Sequence, residues 1–474
     1  MSAATTRERI EREDLMMFVN ACFACTGQRD FYGDERGPQV SITFLHEYIL
    51  HNYRRMYART LGAGINHFNQ GHVICNLLAS GAPRDPADRE EEGALIRVAL
   101  RAMPPQRALR ALEGLRSRGV NNRRTRAVVR DYLGSRPDPA FDAVKYRAKV
   151  RSVAVHNHVR FDDERSSFLF RGWKERQYTT RLFERFRQAH FAEEPLYDLP
   201  FSVAEGLARR HGVPRARFLA RAESTMTVAE RVRMETSTRR AGLAKAADLT
   251  RVPLTKLALY ILGLAPEQRR EQRERFERAL QDAVRRALRR SPKRLGRVAA
   301  VLDRSYSTSG SVERRRRPLG VSLAVSRLLR ACSIDYRAYW TLPAPDELLV
   351  TPHGQTDLAG PLLAALRHQP DVVVIVSDGH ENAPPRGAAE VARVFRRRLD
   401  PERKTSIVHV NPVFDAEVLA PRTLGEAIPT VGIRDAEDLL TVLGFARFAD
   451  GFEPLKSLEA YLQAKARAFI QGES

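Results

Sequence analysis

The segment DVVVIVSD (371–378) is an unbroken Val/Ile run closed by an acid. A run with no polar face has to be buried on both sides, as in a strand of a parallel sheet covered by helices. Its surroundings repeat the theme. RVAAVLD (297–303) is a second short apolar run ending in Asp, DYRAYW (335–340) alternates like a strand, and TSIVHVNPV (405–413) is a further strand. Between them GVSLAVSRLLRACS (320–333), LAGPLLAALRH (358–368) and GAAEVARVFRRRL (387–399) have helical spacing. This βαβ rhythm predicts an α/β doubly wound parallel sheet, with any site beyond the carboxyl ends of its strands.

The part that precedes it has a different texture. FLHEYILHNYRRMYARTL (44–61), EEGALIRVALRAM (91–103), PQRALRALEGLRSRGV (105–120), RRTRAVVRDYLG (123–134) and PAFDAVKYRAKVRSVAVHNHV (139–159) carry apolar residues at helical spacing. Prolines 104 and 105 end one segment, and Gly119 suits a C-cap. Serial helices with short connections predict an α-helical repeat of the HEAT or armadillo kind, without a strict repeat. The most highly charged helix, EQRREQRERFERALQDAVRRALRRSPKR (267–294), has a narrow apolar stripe that includes Phe276, Leu280, Val284 and Leu288, and Ser291-Pro292 breaks it. The expected division is therefore multidomain: an N-terminal segment 1–40, a basic helical-repeat domain 41–294 and an α/β domain 295–474.

Charge follows the same division. Of 79 Lys+Arg and 57 Asp+Glu, 22 of each lie from Val298 onward, so the whole formal excess of +22 belongs to residues 1–297. Arg-rich codon usage accounts for Arg over Lys but not for an excess that stops at a boundary. A strongly basic part joined to a neutral one favours a polyanion partner. No apolar run reaches the length of a transmembrane helix, and the polar start MSAATTRERIERED is no signal peptide, so no membrane partner is expected. Four cysteines make no disulfide framework, and the expected location is cytoplasmic. Cys22 and Cys25 form a C-x-x-C with no second pair at zinc-ribbon spacing, which reads as structural. There is no Walker loop, G-x-S-x-G elbow or H-E-x-x-H, so no enzyme activity is expected.

Two strand ends carry hard oxygen ligands. The first runs into Asp303-Arg304-Ser305-Tyr306-Ser307, a D-x-S-x-S pattern; the Val-rich strand ends at Asp378-Gly379; between them lies Gly354-Gln355-Thr356-Asp357. Carboxylates and hydroxyls from three loops at one sheet edge suit Mg²⁺ or another divalent cation. The constellation resembles the metal-ion-dependent adhesion site of von Willebrand factor A domains. That resemblance implies Asp303, Ser305 and Ser307 as ligands from the first loop, Thr356 from the second and Asp378 from the third. Four consecutive arginines, 314–317, follow the first loop; they suit a solvated loop or a phosphate-contacting edge.

In the helical part, Lys145, Arg147, Lys149, Arg151, His156, His158 and Arg160 lie within sixteen residues, preceded by Arg123, Arg124 and Arg126. Such side chains pair with phosphates or stack on bases, although any one of them also serves as a solvated helix face. A basic helical module followed by an A domain resembles the Ro autoantigen (TROVE) family of RNA-binding proteins. The segment RRTRAVVRDYL…FDAVKYRAKVRSVAVHNHV resembles that family's basic helix pair, with its K-Y-x-x-(R/K) stretch and a His-containing segment. The resemblance implies a ring-forming, HEAT-like repeat closed by the A domain. It also implies binding of small noncoding RNA and of single-stranded ends of misfolded RNA, in RNA metabolism or quality control. The alternative from a different class is a scaffold whose metal site grips an acidic protein ligand.

Overall fold

The computed structural model describes residues 3–28, 37–240, 242, 248–290, 294–449 and 453–472. The chain forms two compact units: Met1–Gln70 together with Pro253–Ser474, and Gly71–Val252. It is mostly helical, with one parallel sheet in its C-terminal part. Among the described residues no helix is long and apolar enough to cross a membrane.

The sheet belongs to the first unit. Its strands are β1 (Leu295–Leu302), β2 (Ser333–Trp340), β3 (Val372–Val376), β4 (Ser406–Asn411) and β5 (Thr430–Gly432). Their order is β2-β1-β3-β4-β5, all parallel. The chain leaves β1 to one side for β2 and returns to the other for β3, so the order reverses between β1 and β3. At such a switch point neighbouring connections diverge and leave a crevice beyond the strands' carboxyl ends. The register sets Leu302 beside Val376, which brings the next residues of both strands to that crevice together.

The Val/Ile/Ala runs form strands because both faces are covered. On one face Val301, Ile375 and Ile407 pack with Leu362 and Ala388 from helices Ala359–Arg367 and Gly387–Arg398. On the other, helix Arg317–Cys332 lies on β1 and β2 and is itself covered by helices Leu254–Gly263 and Arg273–Arg290. The single charged helix expected over 267–294 is thus two, Pro266–Glu271 and Arg273–Arg290, and the expected break at Ser291-Pro292 lies outside the described residues.

The sheet appears at residue 295, where composition changes, but its packing unit is larger. Helix Ala3–Ala24 lies against the short edge strand β5, where Asn20 Nδ2 donates to Thr430 O (3.1 Å) and Asn20 Oδ1 accepts from Gly432 N (3.3 Å). This covers an edge that would otherwise be free to pair. The approach requires glycine: a Cβ at Gly432 would lie 2.2 Å from Asn20 O. Helix Gly37–Arg59, kinked at Tyr53, packs against helix Leu455–Gln471. The N-terminal segment and the helix expected over 44–61 therefore sit with the sheet in the same compact unit.

The second unit is helical among its described residues. Helices Pro86–Ala102, Pro105–Ser117 and Arg123–Gly134 stand where the apolar spacing places them. Their starts are chemically marked. Asp85, Asn122, Asp138 and Asp162 each accept a backbone N–H three residues on, satisfying a donor that the first helical turn leaves free. The helix expected over 139–159 is broken into Pro139–Lys145 and Arg147–His156, because Tyr146 (φ −120°, ψ 28°) leaves the helical region. The flanking cations go to different partners: Lys145 to Glu230, and Arg147 to the carbonyls of Phe168 and Leu169.

Candidate functional site

At the end of β1, Asp303 N donates to Val376 O (3.0 Å), extending the ladder by one bond before the chain turns away. Asp303 Oδ1 accepts from Ser305 N at 2.7 Å, an Asx turn that folds the loop back over the strand end. The turn sets Ser305 Oγ and Ser307 Oγ 3.1 Å apart, with Ser305 at the N-cap of the 3₁₀ turn Tyr306–Ser309 and Ser307 within it. Thr308 Oγ1 donates to Ser305 O (2.7 Å) and closes the turn.

The second loop is tied to the first by main chain: Tyr306 N donates to Gly354 O (3.0 Å) and His353 N to Arg304 O (2.8 Å). It is tied to the third by Asn382. Thr356 N donates to Asn382 Oδ1 (2.9 Å), and Thr356 O accepts from Asn382 N (3.3 Å) and Ala383 N (3.1 Å). At the end of β3, Asp378 Oδ1 accepts from His380 N (3.0 Å). Glu381 accepts from Ala388 N at the start of helix Gly387–Arg398 (2.9 and 3.0 Å), where a carboxylate also meets the positive end of the helix dipole. Thus Asp303, Ser305, Ser307, Thr356 and Asp378 all lie on the three interlocked loops at the β1/β3 edge.

Asp303, Ser305, Thr356 and Asp378 are each at most 2% exposed, and Ser307 is half-buried. Burial, and next the charge of Asp378, push the Asp303 carboxyl well above the ordinary carboxylate range. Asp303 Oδ2 and Asp378 Oδ2 are buried without a hydrogen-bond partner. Two unsatisfied carboxylate oxygens at the end of an apolar sheet are costly unless paired or bound to a cation. Among the described residues no three His, Cys, Asp or Glu side chains form a group that could hold a metal ion, so any cation here would depend on the hydroxyls as well. Two carboxylates with three hydroxyls form a hard, weakly charged donor set that fits Mg²⁺.

The sequence marks the stretch Asp378-Gly379-His380-Glu381-Asn382 as a loop rich in acid–base side chains, without catalysis, but does not show that Glu381 and Asn382 organise the site. Asn382 and Glu381 follow the strand-end Asp378 directly in the DGHEN stretch, and that local density of polar side chains was the available signal. His409 had none. It is buried on β4, within 2.9 Å of Ser377 Oγ through Nε2 and 3.1 Å of Thr430 Oγ1 through Nδ1. Ser377 Oγ in turn accepts from Gly379 N (3.2 Å), so the histidine braces the loop that carries Asp378.

The arginines 314–317 are mostly turned inward. Arg314 is buried, Arg316 donates to Leu262 O, and Arg317 donates to Arg434 O and lies 3.6 Å from Asp435 Oδ1; Arg315 is exposed. Cys22, Cys25, Cys75 and Cys332 are all buried and unbridged. Asn66 and Asn69 donate to the carbonyls of Cys22 and Cys25 and cap that helix end, which is a structural use of the C-x-x-C segment.

The ten basic residues of the second unit divide into two groups. Arg124 pairs with Glu92 (2.7 Å), Lys145 with Glu230 (3.6 Å) and Lys149 with Glu113 (2.5 Å). Arg147 is half-buried on two carbonyls, and His156 Nε2 is 2.8 Å from Val120 O. Arg123, Arg151, His158 and Arg160 are exposed and Arg126 is half-buried. The four arginines of this second group have no ion pair among the described residues. His158 Nε2 is 3.3 Å from Asn121 Nδ2.

No protein-family model matches this chain, and no curated protein sequence matches it.

Proposed function

We propose that this chain is a nonenzymatic RNA-binding protein in which the helical unit holds the RNA and the sheet carries a divalent-cation site. The observation that carries the reading is the placement of charge. Residues 71–252 contain 36 Lys+Arg against 22 Asp+Glu, a net +14, whereas residues 298–474 balance to zero. The exposed Arg123, Arg151 and Arg160 supply part of that field without acidic partners among the described residues. On the resemblance to the Ro family, the helical part is a HEAT-like repeat, the sheet is a von Willebrand factor A domain, and the ligand is small noncoding or misfolded RNA with single-stranded ends in the cytoplasm. When bound, Mg²⁺ held by Asp303, Ser305, Ser307, Thr356 and Asp378 would offer a Lewis-acidic position to an acidic protein ligand. The two orphaned carboxylate oxygens favour that second use of the sheet.

The test is binding of labelled RNA by the full chain over a salt series, with Mg²⁺ and with a chelator. RNA binding is expected in both, with log K falling by about 0.7 per phosphate contact for each unit of log salt on a single strand. Loss of all salt-sensitive RNA affinity near physiological ionic strength rejects the reading and leaves the acidic-ligand scaffold.

A further inference from the structure

One surface of the helical unit combines aromatic rings with unpaired cations. Phe168, Phe183 and Phe186 form the interior, with the rings of Phe168 and Phe183 stacked 4.1 Å apart. Outside them the turn Gly172–Lys174 presents Trp173, whose indole stacks on the His190 imidazole (5.4 Å, 15° between planes). Phe191 meets the same indole edge-on at 5.9 Å and is itself 64% exposed. Arg210, from helix Phe201–Arg210, lies 5.7 Å from the centre of the indole ring. Arg210 and Lys174 are exposed and have no acidic partner among the described residues.

A single exposed phenylalanine on a protein surface requires no explanation. Phe191 is not single: its ring stands edge-on to an indole that is itself stacked on an imidazole, with the Arg210 guanidinium 5.7 Å from the indole centre and the Arg187 guanidinium 6.0 Å from the Phe191 centre. Rings and cations in this mixture match a ligand with both π faces and negative charge. An acidic peptide supplies the charge and leaves the rings unused. A duplex supplies phosphates but hides its base faces, whereas a single strand offers both.

We propose that the exposed ring of Phe191, set edge-on against the Trp173–His190 stack, is the stacking platform for an unpaired base of single-stranded RNA, with Lys174 and Arg210 on the adjoining phosphates. This rests on the RNA-binding reading above and adds to it where the strand is held and why it must be unpaired.

The chain contains two tryptophans, so Trp340→Phe leaves Trp173 as the only indole reporter. In that background three probes are titrated into the full chain: a short oligouridine, an abasic ribose-phosphate strand of equal length and a blunt RNA duplex. Oligouridine is expected to quench Trp173 emission; the abasic strand and the duplex are not. Phe191→Ala should weaken oligouridine binding about 5- to 150-fold, the range for losing one stacked base, and leave abasic binding and the melting temperature unchanged. Phe191→Tyr should keep the wild-type affinity. Arg210→Ala should weaken oligouridine and the abasic strand alike and flatten the salt slope by about 0.7. If oligouridine binds while Trp173 emission and the affinity of Phe191→Ala stay at wild-type values, the platform is wrong and the RNA reading stands. If the chain binds none of the three probes, both fall. Quenching by polyglutamate and not by oligouridine replaces RNA with an acidic protein at this surface.

Discussion

Asp303 and Asp378 stand at the carboxyl ends of adjacent parallel strands and are held in the same way. Each spends Oδ1 on the backbone N–H two residues further on, Ser305 N at 2.7 Å and His380 N at 3.0 Å, and each leaves Oδ2 buried without a hydrogen-bond partner. The Asx turn fixes where each carboxylate sits, so the two bare oxygens cannot relax by rotating to solvent. Like charges so placed repel, and the raised titration of Asp303 reflects burial first and that repulsion second. Burial first and this repulsion second give the carboxyl edge of β1 and β3 an electrostatic strain that a bound cation would relieve.

Mg²⁺ should relieve this strain and stabilise the fold. Saturating Mg²⁺ is expected to raise the melting temperature over that in a chelator, by the equivalent of about 2.7 kcal/mol at a hundredfold excess over Kd. Asp303→Ala should abolish the increment. Asp303→Asn should abolish it too, while melting at or above wild type in the chelator, because one of two buried like charges is gone. Scanning fluorimetry decides it; identical wild-type curves with and without the metal would remove the cation site.

Asn382 is expected to matter twice. Asn382→Ala removes the acceptor of the Thr356 N–H; because Asn382 itself is exposed, water can replace it and the loss should be about 0.5–1.5 kcal/mol. It also frees the loop that carries Thr356, so Mg²⁺ affinity should fall with stability. Ser307→Ala, at a half-buried position, should lower Mg²⁺ affinity with little change in stability. Urea denaturation and Mg²⁺ titration of the two variants separate positioning from ligation; equal Mg²⁺ affinity in Asn382→Ala and wild type would show that the Asn382 bonds are not needed to place Thr356.

The strands with continuous apolar runs were legible because burial on both faces leaves a one-dimensional signature. The run 371–378 became β3, and 297–303 became β1 with Asp303 one residue past its end. Strand β5 was not legible. It has three residues, and it is held by Asn20 and His409, hundreds of residues and one strand away respectively. Helix Ala3–Ala24 was read only at Cys22 and Cys25, as structural cysteines in a helix; its packing on β5 and the C-terminal helices joins residues remote in sequence, although it also packs on helix Gly37–Arg59. The five proposed metal ligands could be named because strand ends and loop motifs are local. Which arginines of 123–160 face solvent was not legible, because Glu92, Glu113 and Glu230, which claim Arg124, Lys149 and Lys145, lie 32, 36 and 85 positions away.

That division of the basic stretch gives a paired prediction. Arg123→Glu with Arg151→Glu and Arg160→Glu changes exposed side chains, so the protein should stay folded and lose RNA affinity, with a flatter salt dependence. Arg124→Glu with Lys145→Glu and Arg147→Glu sets acids against Glu92 and Glu230 and against the carbonyls of Phe168 and Leu169. Unpairing buried or half-buried charges in this way should cost several kcal/mol and show as unfolding before any binding is measured. Thermal melts followed by filter binding test both; a folded second triple variant with reduced RNA affinity would reverse the assignment of the two groups.

His409 makes stability depend on pH in a direction that can be worked out. Its ring is fully buried between Ser377 and Thr430, and burial pushes its pKa down to about 4, opposed by the Ser377 carbonyl. The unfolded chain's histidine titrates near 6.5, so between about pH 6.5 and 4 the unfolded state binds the extra proton. The stability from keeping His409 neutral is complete above that window and declines as pH falls through it, by about 2 kcal/mol at about pH 5. The whole-chain profile also contains Asp438, whose carboxyl is pushed up to about 7 by burial and then by Asp435 and Glu437, and which acts in the opposite sense. The difference between wild type and His409→Gln isolates the histidine, since glutamine keeps a hydrogen-bonding side chain that does not titrate. Urea denaturation should show wild type's advantage over the variant shrinking by about 2 kcal/mol from about pH 7.5 to about pH 5. An advantage that is constant across that range would mean that His409 can protonate in the folded protein, and that the brace under the Asp378 loop is open to water.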